Sequence, residues 1–249
     1  MKKSIILLVM LFIFLLSMNV RAYQIIDNYW GFFDHGYGDV IGNDNFEIYS
    51  MDVSFGGGFM DIIIATNFYE GAHDTGGAGY GDLFISTNGW DPYGLDPYRW
   101  DSYWTGEDWE FVFDTSAGIL YELPNYTTSN ITNYISLASA RSTYRNFQEV
   151  LYRRGGDSIT GDTSKVDLTH TGNGGYITYE IDMSSLGSID GGIIGLKWGQ
   201  TCANDTIEGG APGAPVPEPA TMLLLGSGLI CLAGLGRKKF FKKSFIAQS

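Results

Sequence analysis

Clusters of glycine, asparagine and aspartate cut this chain into short segments of alternating apolar character, which leaves little room for helix. In Asp108–Asp114 a two-residue period puts Trp109, Phe111 and Phe113 on one face, and in Gly175–Met183 it does the same for Ile177, Tyr179 and Ile181. Further strands are expected at Phe46–Phe55, Phe59–Thr66, Asp82–Thr87, Ile119–Leu123, Asn146–Arg153, Lys165–Thr169 and Ile193–Trp198. Between them lie Gly56-Gly57-Gly58, Gly76-Gly77, Asn88-Gly89, Gly155-Gly156 and Gly172-Asn173-Gly174-Gly175. Such clusters turn a chain because glycine takes positive φ without steric cost. Ser184-Ser185-Leu186 reads as a single helical turn, and there is no long helical period and no fixed internal repeat. The pattern predicts an all-β chain folded as an antiparallel β-sandwich, jelly-roll or lectin-like.

The two ends differ in kind from the middle. Residues 1–22 read as a secretory signal peptide: Lys2-Lys3, an apolar core from Ile5 to Leu16, then Val20-Arg21-Ala22 before a cut ahead of Tyr23. An uncleaved N-terminal anchor is the alternative. At the other end, Val216-Pro217-Glu218-Pro219 precedes an uncharged apolar run over 220–236 that would span roughly 25 Å as a transmembrane helix. A basic tail at 237–243 follows, with Arg237, Lys238 and Lys239 as its stop-transfer residues. Residues 23–208 are then expected to form one acidic domain, and 209–219 a Gly/Ala/Pro linker that carries the Pro-Glu-Pro motif.

Charge narrows what the middle can do. Eight of the 15 basic residues and one of the 28 acids, Glu218, lie in the terminal segments. The central region therefore holds 7 basic and 27 acidic groups, a formal charge of −20. Such a surface repels phosphate backbones, which argues against nucleic acid as a partner. It also leaves carboxylates available for cations, although acids that simply keep an exported protein soluble account for the same numbers. Of the two cysteines, Cys231 sits in the apolar tail, so the domain has no internal disulfide. Cys202 is either a small buried residue or a thiol for intermolecular bonding.

The order Pro217-Glu218-Pro219, short hydrophobic helix, basic end resembles the PEP-CTERM sorting signal of exported proteins in Gram-negative bacteria. The same segment is also called the ice-binding protein C-terminal domain. The resemblance covers 216–243, with an ordinary C-terminal membrane anchor as the alternative. It implies a precursor tethered to the inner membrane, processed by signal peptidase at one end and by the membrane protease exosortase at the other. The product would reach the cell surface or the extracellular matrix, in a structural or adhesive role beside exopolysaccharide in a biofilm. Trp198-Gly199-Gln200-Thr201-Cys202-Ala203-Asn204-Asp205, Gly81-Asp82-Leu83-Phe84 and Gln148-Glu149-Val150 are similar to segments of a subset of such surface proteins. That similarity bears on fold and location rather than on chemistry.

Enzymatic chemistry finds little support in the residues. The mature region has no Gly-x-Ser-x-Gly turn, and His35, His73 and His170 stand in unrelated loops without zinc spacing. Glu107-Asp108-Trp109-Glu110 is similar to the acidic strand of sandwich-fold β-glucanases, but strict alternation would turn Glu107 away from Asp108 and Glu110 away from Trp109. A secreted glycosidase is therefore the weaker reading. A calcium-assisted carbohydrate-binding module is the better alternative, with Asp74, Asp82, Asp91 and Asp96 as candidate ligands in two Asp- and Gly-rich stretches. Between 90 and 109 the rings are dense, and Trp90, Tyr93, Trp100 and Trp104 are candidates for a sugar-binding platform, packing under the loop being the alternative use of the same rings. Threonines are too scattered for an ice-binding array. The expectation is a non-enzymatic exported protein.

Overall fold

A computed structural model describes residues 22–31, 38–69, 78–124, 131–138, 147–170, 174–189, 192–213 and 226. Apart from Ala22 and Gly226, the expected signal peptide, transmembrane run and basic tail lie outside these residues, and no helix among those described is long and apolar enough to cross a membrane. The chain divides into two units, 1–214 and 215–249.

Thirteen strands occur in the described part of the first unit: β1 (Tyr23–Ile26), β2 (Ile48–Gly56), β3 (Phe59–Thr66), β4 (Leu83–Ser86), β5 (Phe111–Asp114), β6 (Ile119–Glu122), β7 (Ile135–Leu137), β8 (Glu149–Tyr152), β9 (Asp157–Ser158), β10 (Lys165–His170), β11 (Gly175–Asp182), β12 (Ile193–Gly199) and β13 (Thr206–Pro212). They make a five-stranded sheet in the order β1-β2-β3-β11-β10, a six-stranded sheet in the order β13-β12-β4-β5-β6-β9, and a small pair β7-β8. All pairings are antiparallel. The all-β expectation therefore holds.

Alternation explains how the two large sheets meet. Met51 and Val53, Ile62 and Ile64, Ile177, Tyr179 and Ile181 leave one face of the first sheet. Leu83, Ile85, Phe111, Phe113, Leu196, Trp198 and Ile207 leave one face of the second, and all of these residues join a single buried cluster. The β2–β3 hairpin closes on Gly57 and Gly58, both left-handed (φ 61° and 93°), which lets the turn follow the twist of its strands. Met183–Ser185 forms the expected helical turn, capped by the Asp182 carboxylate.

Three expectations are corrected. The strand expected at Asp108–Asp114 begins only at Phe111, so the alternation does not extend back to Trp109. Trp109 instead joins Phe84 and Val112 in a second cluster, away from Phe111 and Phe113. His170 ends β10 and does not lie in a loop. Thr206–Pro212 is a strand, so the folded domain runs through Gly209 and Gly210 into the stretch expected to be linker. The glycines there answer a packing need: a Cβ on Gly209 would stand 2.5 Å from the Ile25 side chain.

The outer face of the six-stranded sheet is covered as well. Cross-strand register places Glu208, Lys197, Phe84, Val112 and Tyr121 in one row on that face. The apolar end of the row is buried with Trp109, Leu123, Ile131 and Ile135. Its polar end lies under the loop that joins β4 to β5 and beside the start of β8.

Candidate functional site

The loop over 87–110 is fastened at both ends by carboxylates. Glu107 accepts from the Ser86 hydroxyl (3.0 Å) and the Asp91 N–H (2.6 Å). Glu110 accepts from the Thr87 N–H (2.8 Å) and the Asn88 amide (2.7 Å). The loop lies close on the sheet because the strands beneath it carry glycine: a Cβ on Gly195 would stand 2.7 Å from the Gly89 carbonyl, and one on Gly210 3.0 Å from Trp90. Trp90 adds an anchor, its indole N–H donating to Glu208 Oε1 (3.2 Å) and its ring edge-on to Tyr98 at 5.3 Å.

The four rings named from the sequence separate into two kinds. Trp90 is spent as this anchor. Trp104 is 41% exposed but packs against Tyr103 (4.6 Å) and Phe147 (4.8 Å). Tyr93 and Trp100 are 53% and 55% exposed, with Leu95 between them at 89%. A depression of about 390 Å³ is lined by Leu95, Asp96, Pro97, Arg99 and Trp100. Arg99 lies over the Trp30 ring at 4.3 Å, a cation–π contact that braces this side of the loop.

The expected calcium ligands do not converge among the described residues. Asp74 and the sorting residues Pro217, Glu218, Pro219, Arg237, Lys238 and Lys239 lie outside them. Asp82 is buried, accepting from the Thr115 N–H (2.8 Å) and the Tyr152 N–H (2.6 Å), so it ties the β5–β6 turn to β8. Asp91 and Asp96 are exposed, and Asp96 accepts from the Asn28 amide (2.7 Å). No group of three His, Cys, Asp or Glu among the described residues stands where it could hold a metal ion.

Beneath the loop lies a feature that no sequence pattern announces. Lys197, 2% exposed, points its ammonium at Gln148 Oε1 (2.6 Å), Glu149 Oε2 (2.7 Å) and Glu208 Oε2 (3.1 Å). Tyr29 lies under it at 5.6 Å, and Asp101 and Glu107 complete the lining. The Tyr29 hydroxyl is within 3.2 Å of Asp101 Oδ2 and 3.4 Å of Gln148 Oε1. Four buried carboxylates thus surround one cation, in a pocket with no void large enough for water. Burial pushes Asp101 up to about 8, aided by the Glu208 charge and opposed by Lys197. Burial likewise raises Glu107 to about 7 against the hydrogen bonds from Asp91 and Ser86. Burial alone would lower the Lys197 ammonium, but Glu149 and Glu208 outweigh it and hold that proton more firmly than usual. No local signal marks Lys197, because alternation in β12 turns it away from the core, as for any exposed lysine.

These features define an antiparallel all-β domain with a braced, ring-bearing loop over a closed ionic cluster. No curated protein and no solved structure matches the chain. Residues 215–238, about a tenth of its length, match the family model of the PEP-CTERM protein-sorting motif. The chain thus carries the sorting signal of an exported protein, with a membrane-anchored precursor that exosortase processes for the cell surface.

Proposed function

We propose that this is a non-enzymatic surface or matrix protein, a jelly-roll or lectin-like β-sandwich that holds to exopolysaccharide through the 93–100 segment of its braced loop. The observation that carries the reading is the outward placement of Tyr93, Leu95 and Trp100 on a loop whose base is pinned by Glu107, Glu110 and Trp90. Exposed apolar rings cost free energy in water, and a sugar's CH face is a ligand that removes that cost. Rigid support limits the ordering penalty on binding.

A catalytic reading would look to the depression of about 340 Å³ lined by Asp108, Glu110 and Glu122. There Glu110 already has both oxygens engaged by the loop, which disfavours it as a general acid or base. The test is a tryptophan-fluorescence titration with a panel of neutral and acidic polysaccharides, run on the native protein and on Trp100→Ala. Saturable change is expected with at least one glycan, weakened about tenfold in the variant. A flat response across the panel refutes the reading.

A further inference from the structure

The closed cluster has the parts of a reaction centre whose substrate is the chain itself. We propose that the Lys197 side-chain amine and the Gln148 carboxamide form an intramolecular amide cross-link between β12 and the residue preceding β8. Four observations converge on this assignment.

The two groups are neighbours: the Lys197 ammonium donates to Gln148 Oε1 (2.6 Å), the oxygen carried by the electrophilic carbon, and both residues are buried. Gln148 is fixed in place, its amide N–H donating to the Asp101 backbone carbonyl (3.1 Å) and its head packed where a Cβ on Gly31 would intrude. A base stands ready at Glu149 Oε2, 2.7 Å from the ammonium. Finally, the Tyr29 hydroxyl stands 3.4 Å from Gln148 Oε1, where negative charge would develop.

The hydroxyl of Tyr29 supplies the acid side. Its single proton cannot serve both Asp101 Oδ2 and Gln148 Oε1, which lie at 3.2 and 3.4 Å. With the Asp101 carboxyl protonated, Asp101 donates to the Tyr29 oxygen and Tyr29 donates to Gln148. The carbonyl is then polarised along one relay.

The step balances without a co-reactant. Because Glu149 and Glu208 hold the Lys197 ammonium firmly, the neutral amine forms only transiently, when one proton passes to Glu149. This makes the step slow, and the amine so formed attacks Gln148 Cδ. Negative charge that develops on Oε1 is met by the Tyr29 hydroxyl. The bond from Cδ to the original amide nitrogen then breaks, and that nitrogen leaves with the proton held on Glu149 and the proton shed by Lys197, as ammonium. Nothing is oxidised or reduced. The carboxylates of Glu149 and Glu208 are poorer electrophiles than a carboxamide, which is why Gln148 is the acceptor. The link closes a loop of 49 residues in a domain whose single cysteine, Cys202, leaves it no internal disulfide.

Intact-mass spectrometry of the purified full-length chain, after prolonged incubation at neutral pH, tests this. The chain is expected to be lighter than its encoded mass by one ammonia. Trypsin is expected to fail at Lys197 and to release the peptide containing Gln148 joined to the one containing Lys197. Lys197→Met and Gln148→Leu should return to their encoded masses. Glu149→Gln, with its fold checked by circular dichroism, should cross-link about a hundredfold more slowly. A native chain at its encoded mass with Lys197 open to trypsin overturns the proposal. So does loss of one water with a link to Glu149 or Glu208. Both of these outcomes are measured on the native chain, so they do not depend on whether a variant folds.

Discussion

Asp82→Asn gives the sharpest test of how this fold treats buried acids. The native carboxyl is 2% exposed and accepts two backbone N–H groups, from Thr115 at 2.8 Å and Tyr152 at 2.6 Å. Burial outweighs those bonds and pushes it up to about 7 from an ordinary 3.8. A carboxyl raised on folding holds its proton more tightly in the folded state. Its contribution is therefore full below about pH 4 and is lost as pH rises through about 7. At about 1.4 kcal/mol per pH unit, the rise from pH 5 to pH 8 removes about 2.5–3 kcal/mol of stability through this one group.

Asparagine has the same shape but does not titrate, and its NH₂ must face one of the two N–H donors. At pH 5 the variant should be less stable by about 1–3 kcal/mol, the cost of a buried donor left without an acceptor. By pH 8 that gap should close or reverse, because only the native protein has lost the proton-linked contribution. Urea unfolding followed by tryptophan fluorescence at pH 5, 6, 7 and 8 measures both curves. Asp101 and Glu107 titrate in the same window but occur in both proteins, so they cancel in the difference. Parallel curves would refute the reasoning, since they would mean that the two N–H groups hold Asp82 ionised throughout.

Three further outcomes follow from the same structure. Gly195→Val drives a side chain into the Gly89 carbonyl and Ser86, so it should cost about 1–3 kcal/mol in a thermal or urea melt and raise proteolytic nicking between 88 and 106. Asp205→Ala strips the acceptor from the Ile48 N–H (2.7 Å) and the Thr206 N–H (2.9 Å), and loss of about 2–4 kcal/mol is expected by urea unfolding. Glu218→Ala, within the matched sorting motif, should leave unprocessed precursor in the membrane fraction, read by immunoblot in a host that has exosortase.

Strands that obey a two-residue period, and the glycine pairs that end them, are legible in the chain before it folds. Phe59–Thr66 and Gly175–Asp182 lie where alternation puts them, because side-chain alternation is a local property of extended backbone. The sorting motif is equally legible, since its message is order along the chain rather than folded shape. Thr206–Pro212 reads as linker because Gly209 and Gly210 look like flexibility in sequence, whereas in the fold they are clearance for Ile25 and Trp90. Trp109 shares the phase of Phe111 in sequence but lies before the strand begins, so tertiary packing is free to turn it to the other cluster. Lys197 is the clearest case of a role set by distant segments. Its outward direction follows from β12 alone, yet its burial depends on Tyr29, Asp101, Gln148, Glu149 and Glu208. Several of these lie dozens of residues away in the chain, and a periodicity read over a few residues carries no information about which distant segment will cover a face.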